Sequence, residues 1–170
     1  ALERAQEPQP QSHSVFLAMA KLHEFMGNQE QQVTFMMRAA NAAPERADIR
    51  LALGELLRRH GDFVGAAAQY EKAIEINPDL EAARFGLAVI HMRRDRLNEA
   101  MEQFRQIVAR NPSAHDAHFN LGQCLFRQGK YALAAVSLAS ALKGLSEHPS
   151  VLLLLARFIT GSATLTERWS

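Results

Sequence analysis

Residues 76–78 read Ile76-Asn77-Pro78, and residues 110–112 read Arg110-Asn111-Pro112. The two prolines stand 34 residues apart, and Pro44 precedes Pro78 by the same 34. The residue before a proline is pushed out of the α region, so each Asn-Pro pair is a helix terminator. A terminator that returns at a fixed interval of about 20–50 residues is the mark of a repeat architecture. With each proline set at position 32, repeats begin at His13, Ala47, Glu81 and His115, and a fifth would begin at Pro149.

The other columns fall into register. Position 7 holds Met19, Leu53, Leu87, Leu121 and Leu155, and position 8 holds Ala20, Gly54, Ala88, Gly122 and Ala156. Position 20 holds Gln32, Ala66, Ala100 and Ala134; position 24 holds Met36, Tyr70, Phe104 and Leu138; position 27 holds Ala39, Ala73, Ile107 and Ala141. Apolar residues recurring at 7, 10, 11 and then at 17, 20, 21, 24, 27, 28 make two amphipathic helical stripes per repeat, not strand alternation. A turn centred on Gly27, Gly61, Asp95 and Gly129 separates them, and glycine there supplies the positive φ that closes the first helix. The expected first helices span about 14–26, 47–60, 81–94 and 115–128, and the second helices about 29–42, 63–76, 97–110 and 131–145. A last helix is expected over about 149–160, with Pro149 in its first turn, where a missing N–H costs nothing.

This pattern resembles the tetratricopeptide repeat, with small residues at 8, 20 and 27, large apolar ones at 4, 7, 11 and 24, and proline at 32. The resemblance covers residues 13–160. It implies an all-α, right-handed solenoid of helix–turn–helix units. The organisation read here is a linker or disordered lead-in over 1–12, four repeats at 13–46, 47–80, 81–114 and 115–148, a capping helix or first helix of a fifth repeat at 149–160, and a tail over 161–170. The departures are local. Gln32 takes a small position, so the first repeat is expected to pack less tightly, as terminal repeats do. Arg50, Arg84 and His118 take position 4 in place of a large apolar residue, which implies a partly buried position.

Composition removes whole classes of function. The 170 residues are 48% hydrophobic and 22% charged, with 19 basic and 18 acidic side chains. That is too apolar for a disordered chain and too balanced for a polyanion-binding tail. One cysteine excludes an internal disulfide framework and a multi-cysteine zinc site. The longest apolar run, Val151 to Ala156, is far short of the roughly 20 residues a membrane span needs, so no direct membrane insertion is expected. No basic-then-apolar leader precedes residue 12, and the start at Ala1 reads as a processed or excised piece. A cytoplasmic location fits the cysteine count, and a periplasmic one is compatible with it.

No chemistry-bearing motif survives inspection. Gly122 to Lys130 superficially resembles a phosphate loop, but six residues separate its glycines and no Ser or Thr follows Lys130. His115 and His118 share a helical face at i, i+3 without a third ligand nearby, so no metal site is expected. His23 and His91, both at position 11, read as core-edge histidines, and Cys124, equivalent to Leu22, Leu56 and Ile90, reads as core packing. Near-neutral charge without interleaved exposed aromatics argues against nucleic acid. The reading is a non-catalytic chain without cofactors.

The binding surface comes from the resemblance. In that family, positions 2, 5, 9, 12 and 13 of the first helices face a concave groove. Position 5 is then Leu17, Leu51, Phe85, Phe119 and, in the last helix, Leu153; position 9 includes Lys21, Glu55, Val89 and Gln123; position 12 includes Glu24, Arg58, Met92 and Phe126. The expected groove comprises Leu51, Glu55, Phe85, Val89, Met92, Phe119, Asn120, Gln123 and Phe126, with Asn120 available to a bound peptide backbone. Apolar residues that packing does not require mark interaction sites, and the fitting partner is an amphipathic helix or an extended peptide. Arg58, Arg59, Arg93, Arg94 and Arg127 form an expected basic rim, which either favours acidic partners or complements the helix macrodipole. The carboxylate clamp of some family members is absent, because its positions hold Leu17, Lys21, Ala52, Ala82 and Gly86. The expectation is a protein–protein interaction scaffold. Alternatives are the substrate-recruiting or regulatory arm of a larger enzyme, such as a transferase, and homo-oligomerisation through the array ends.

Overall fold

The structure is a computed structural model and describes residues 12–145, together with Pro149 and Leu153. Eight helices account for almost all of the described residues: α1 Ser12–Phe25, α2 Gln29–Ala42, α3 Ala47–Arg59, α4 Phe63–Ile76, α5 Glu81–Arg93, α6 Leu97–Arg110, α7 His115–Arg127 and α8 Tyr131–Leu145. The fold is all-α. The expected 1–12 lead-in (Ser12 excepted) and the 161–170 tail lie outside the described residues. So does the expected helix 149–160, apart from Pro149 and Leu153, which are helical and exposed.

The second helices begin and end where the periodicity puts them, whereas all four first helices stop one residue early and α1 begins two residues before its expected start. The early stop has a cause common to all four turns. Gly27, Gly61 and Gly129 have φ of 72°, 83° and 73°, and Asp95 takes the same conformation at 61°. In each turn the residue after this one donates its N–H five residues back: Asn28 to His23, Asp62 to Leu57, Arg96 to His91 and Lys130 to Leu125, at 2.9 Å each. Together with the three-back bonds Gly27 to Glu24 (3.1 Å) and Gly61 to Arg58 (3.1 Å), these satisfy carbonyls that a helix end leaves open. Asp95 holds the left-handed conformation as a non-glycine residue, which aspartate tolerates better than most.

The chain divides into two compact units, Ala1–Gly86 and Leu87–Ser170. In the first, α1 packs on α2, α2 on α3 and α3 on α4; in the second, α6 packs on α7 and α7 on α8. The columns explain the close crossings. Ala39, Ala66, Ala73, Ala100, Ala134 and Ala141 have no exposed surface, nor do the large residues Tyr70, Phe104 and Leu138 at position 24. Complete burial of such a side chain contributes roughly 1.5–3 kcal/mol. The Tyr70 ring lies against two glycines. A Cβ on Gly54 would stand 2.7 Å from Cε1, and one on Gly86 would stand 2.6 Å from Cζ.

Position 4 corrects the sequence expectation. Arg50 and Arg84 are buried, each 8% exposed, not partly exposed. The Arg84 guanidinium donates to the Pro78 carbonyl from Nε at 3.2 Å and from Nη2 at 3.0 Å, and His118 Nε2 lies 3.2 Å from the Pro112 carbonyl. A long polar side chain at position 4 thus ties a helix to the proline turn that precedes it. That turn is itself closed by asparagine: Asn77 Oδ1 accepts from the Asp79 N–H at 3.1 Å, and Asn111 Oδ1 from the Ser113 N–H at 3.2 Å. Arg50 instead donates to Gln69 Oε1 at 3.0 Å.

Candidate functional site

Each residue of the expected groove is on a first helix and half-buried. In the first unit these are Leu51 and Glu55 on α3 and Phe85 on α5, with Leu17 on α1. In the second they are Val89 and Met92 on α5, and Phe119, Asn120, Gln123 and Phe126 on α7. Phe85, Val89 and Met92 fall at i, i+4 and i+7 of one helix and so share a stripe. Phe126 is edge-on to Tyr131, with ring centroids 5.4 Å apart.

Asn120 Nδ2 donates one of its two N–H groups to the Asp116 carbonyl of its own helix at 2.8 Å, which leaves the second N–H and the Oδ1 acceptor for a ligand. Glu55 belongs to a network. It accepts from the Tyr70 hydroxyl through Oε1 at 2.6 Å, and from Arg58 Nε (3.1 Å) and Nη2 (2.7 Å) through Oε2. Burial opposes the Glu55 charge, but the hydrogen bonds from Tyr70 and Arg58 outweigh it and hold the carboxyl below the ordinary glutamate value. Burial and the bond to Glu55 raise the Tyr70 hydroxyl in turn.

The rim is also altered. Arg58 pairs with Glu55; Arg59 lies 3.9 Å from Glu24; Arg127 meets Asp95 at 2.7 Å and donates to the Met92 carbonyl at 3.3 Å. Arg93 and Arg94 are exposed near the end of α5. At Arg58, Arg59 and Arg127 the rim is therefore a set of ion pairs rather than a row of uncompensated cations. Arg59 and Arg127, both at position 13, reach back to a carboxylate of the preceding repeat.

The residues considered for chemistry are engaged structurally. His115 Nδ1 lies 3.2 Å from the Ser140 carbonyl and His118 turns to Pro112, so the pair diverges. Among the described residues, no group of three or more His, Cys, Asp or Glu is placed to hold a metal ion. His23 stacks on Phe35 with centroids 5.3 Å apart. Cys124 is fully buried, and desolvation pushes its thiol up to about 11.

One feature was flagged in the sequence only as loose packing. Beside Gln32, two clefts of ≈ 300 and ≈ 280 Å³ open in the first unit, and both are lined by Glu24, Gln32, Leu56 and Arg59. The odd residue in the position-20 column was the signal. Apolar surface is also open at the start of the chain. Leu22 is 48% exposed where its equivalent Leu56 is 2% exposed, because no described helix precedes α1. Val15, Phe25 and Met26 on or beside α1, and Leu133 and Val136 on α8, are exposed as well.

Comparison with known proteins agrees with this geometry. A family profile described as "Tetratricopeptide repeat" matches residues 85–149, and another described as "TPR repeat" matches residues 54–95. The chain belongs to the tetratricopeptide repeat family. Comparison with curated proteins gives no match. Among solved structures, a crystal structure of MamA protein is similar at TM-score 0.84 and 14% identity, over 94% of this chain and 87% of that one. YrrB, described as a TPR protein with an unusual peptide-binding site, is similar at TM-score 0.75 and 20% identity, over 85% and 75%. PilF of Pseudomonas aeruginosa is similar at TM-score 0.77 and 15% identity, over 91% and 71%. At these identities the likeness is one of fold. Among the described residues, no helix is long and apolar enough to cross a membrane.

Proposed function

We propose that this tetratricopeptide repeat chain is a non-catalytic interaction scaffold that binds a peptide or helix of a partner protein along its first helices. One observation carries the reading. Position 5 is large and apolar in all four described repeats, yet Leu17, Leu51, Phe85 and Phe119 are only half-buried, whereas position 24 is buried throughout. Residues that are apolar without being needed for the core mark a surface that a partner covers. Val89, Met92 and Phe126 are half-buried on first helices in the same way, and Gln123 with the Asn120 side-chain amide offers polar contacts on α7. An i, i+4, i+7 stripe of this kind suits a partner helix or extended segment with apolar anchors. The peptide-binding site described for YrrB is in keeping with this use of the fold. The ion pairs at Arg58 and Arg127 leave Arg94 as a rim residue placed to favour acidic flanks.

The test is a displayed random-peptide library, selected in parallel on the full chain and on its Phe85→Ala/Phe119→Ala variant. Peptides retained by the parent and lost by the variant, with helicity unchanged, support the assignment. Equal retention of every selected peptide by a folded variant refutes it.

A further inference from the structure

Position 20 is alanine in the later repeats and Gln32 in the first. Where Ala66, Ala100 and Ala134 are fully buried, Gln32 is 9% exposed, and its amide makes no hydrogen bond to any described side chain or carbonyl. It lines both clefts of the first unit, so its polar end has an opening of ≈ 280 to ≈ 300 Å³ to work into. Neither polar atom of this amide is among the buried ones left without a partner, so both reach the solvent of that opening, where a ligand group can replace water. The space is several times the roughly 30 Å³ that one water takes up in the liquid, which leaves room for a ligand group.

The neighbours define what fits. Lys21 on α1 lines the ≈ 280 Å³ cleft and has no ion-pair partner among the described residues. Arg59 on α3 lines both clefts, and its approach to Glu24 is long, 3.9 Å, with both side chains more than half exposed. An exposed pair at that separation is weakly held. Three donors, the Gln32 amide, the Lys21 ammonium and the Arg59 guanidinium, therefore border one opening, with Met36 and Leu56 as apolar walls. The single acid, Glu24, leaves a net charge of one positive unit, which attracts an anion such as a carboxylate. Planar carboxylates match the fork of an arginine.

We propose that this cleft holds a carboxylate of a bound peptide, which accepts hydrogen bonds from Gln32, Lys21 and Arg59. Of the three, only Lys21 stands at a position of the clamp; Gln32 and Arg59, at positions 20 and 13, lie outside it, so the site is a different one. The proposal deepens the peptide-binding reading and rests on it only for the source of the carboxylate. It concerns the first unit alone and is read without any peptide.

The experiment titrates the ¹⁵N-labelled full chain with three probes. N-acetylglycine carries a terminal carboxylate, N-acetylglutamic acid α-amide a side-chain carboxylate, and N-acetylglycinamide none. The expected result is a saturable shift of the Gln32 side-chain amide and of the Lys21 and Arg59 backbone amides with a carboxylate probe, and not with the neutral one. The probe that binds more tightly names the source. Gln32→Glu keeps the volume and adds a like charge, and it should weaken the carboxylate by about tenfold or more. Gln32→Ala restores the residue of the other repeats, keeps the helices by circular dichroism and should weaken it too. No saturable shift with either carboxylate, an equal shift with the neutral probe, or parental affinity in both variants overturns the proposal. The peptide-library result for Phe85 and Phe119 does not depend on any of these outcomes, so the two readings fail separately.

Discussion

Gly86→Ala should change sign with the residue at position 70. Gly86 is helical, so alanine there gains about 0.8–1.0 kcal/mol of helix propensity. The new Cβ would stand 2.6 Å from Tyr70 Cζ and 2.7 Å from Cε2, well inside contact distance. The ring has little freedom to retreat, because Tyr70 is fully buried, its hydroxyl is bonded to Glu55 at 2.6 Å, and Gly54 already lies against Cε1 and Cδ1. Overpacking of that kind costs roughly 1–3 kcal/mol. The net effect in the parent is a loss of up to about 2 kcal/mol. Leucine at position 70 has no atoms where Cζ, Cε2 and the hydroxyl were, so in the Tyr70→Leu background the clash disappears and Gly86→Ala should stabilise by about 0.5–1 kcal/mol. The coupling, roughly 1–3 kcal/mol, falls in the range measured for residues in direct contact. Urea unfolding followed by far-ultraviolet circular dichroism on the parent, both single variants and the double variant gives the cycle. The same Gly86→Ala effect in both backgrounds would refute the packing of position 24 against this glycine.

Three further outcomes follow from the geometry. Gly61 has φ of 83° and nothing within 4 Å of a built Cβ, so Gly61→Ala carries a backbone penalty alone, about 1–2 kcal/mol of unfolding free energy in a denaturant titration, and Gly61→Asn should recover part of it. Cys124, buried with its thiol raised to about 11, should resist a thiol-labelling reagent in the native chain near pH 8 and react fully in denaturant, and fast native labelling would contradict its burial. Glu55 has a depressed folded value, so its contribution is complete above the ordinary glutamate value near 4.3 and is lost as pH falls through the lower folded one. Between about pH 5 and about pH 3 the parent should therefore lose more stability than Glu55→Gln, and parallel pH profiles would remove the Tyr70–Glu55–Arg58 network as the cause.

The local architecture was legible in the residues alone, and the reason is range. A proline at 44, 78 and 112, a glycine or aspartate at the positive-φ turns, and small residues at 8, 20 and 27 act on backbone within a few residues of themselves or on one helix crossing. Helix, turn and pairing therefore follow from spacing, and even the departure at Gln32 was visible as a break in a column.

Partners of polar side chains belong to tertiary structure, because they are chosen across helices. Arg50 on α3 is buried and bonded to Gln69 on α4, and Arg127 is joined to Asp95, 32 residues earlier. Asn120, by contrast, turned back onto its own helix, a local bond competing with any ligand. A column of arginines looks the same on paper whether its members are paired or bare. Only the folded chain placed Gln32, Lys21 and Arg59 around one opening, since α1, α2 and α3 each bring one of them and nothing short of packing those helices decides which polar ends meet.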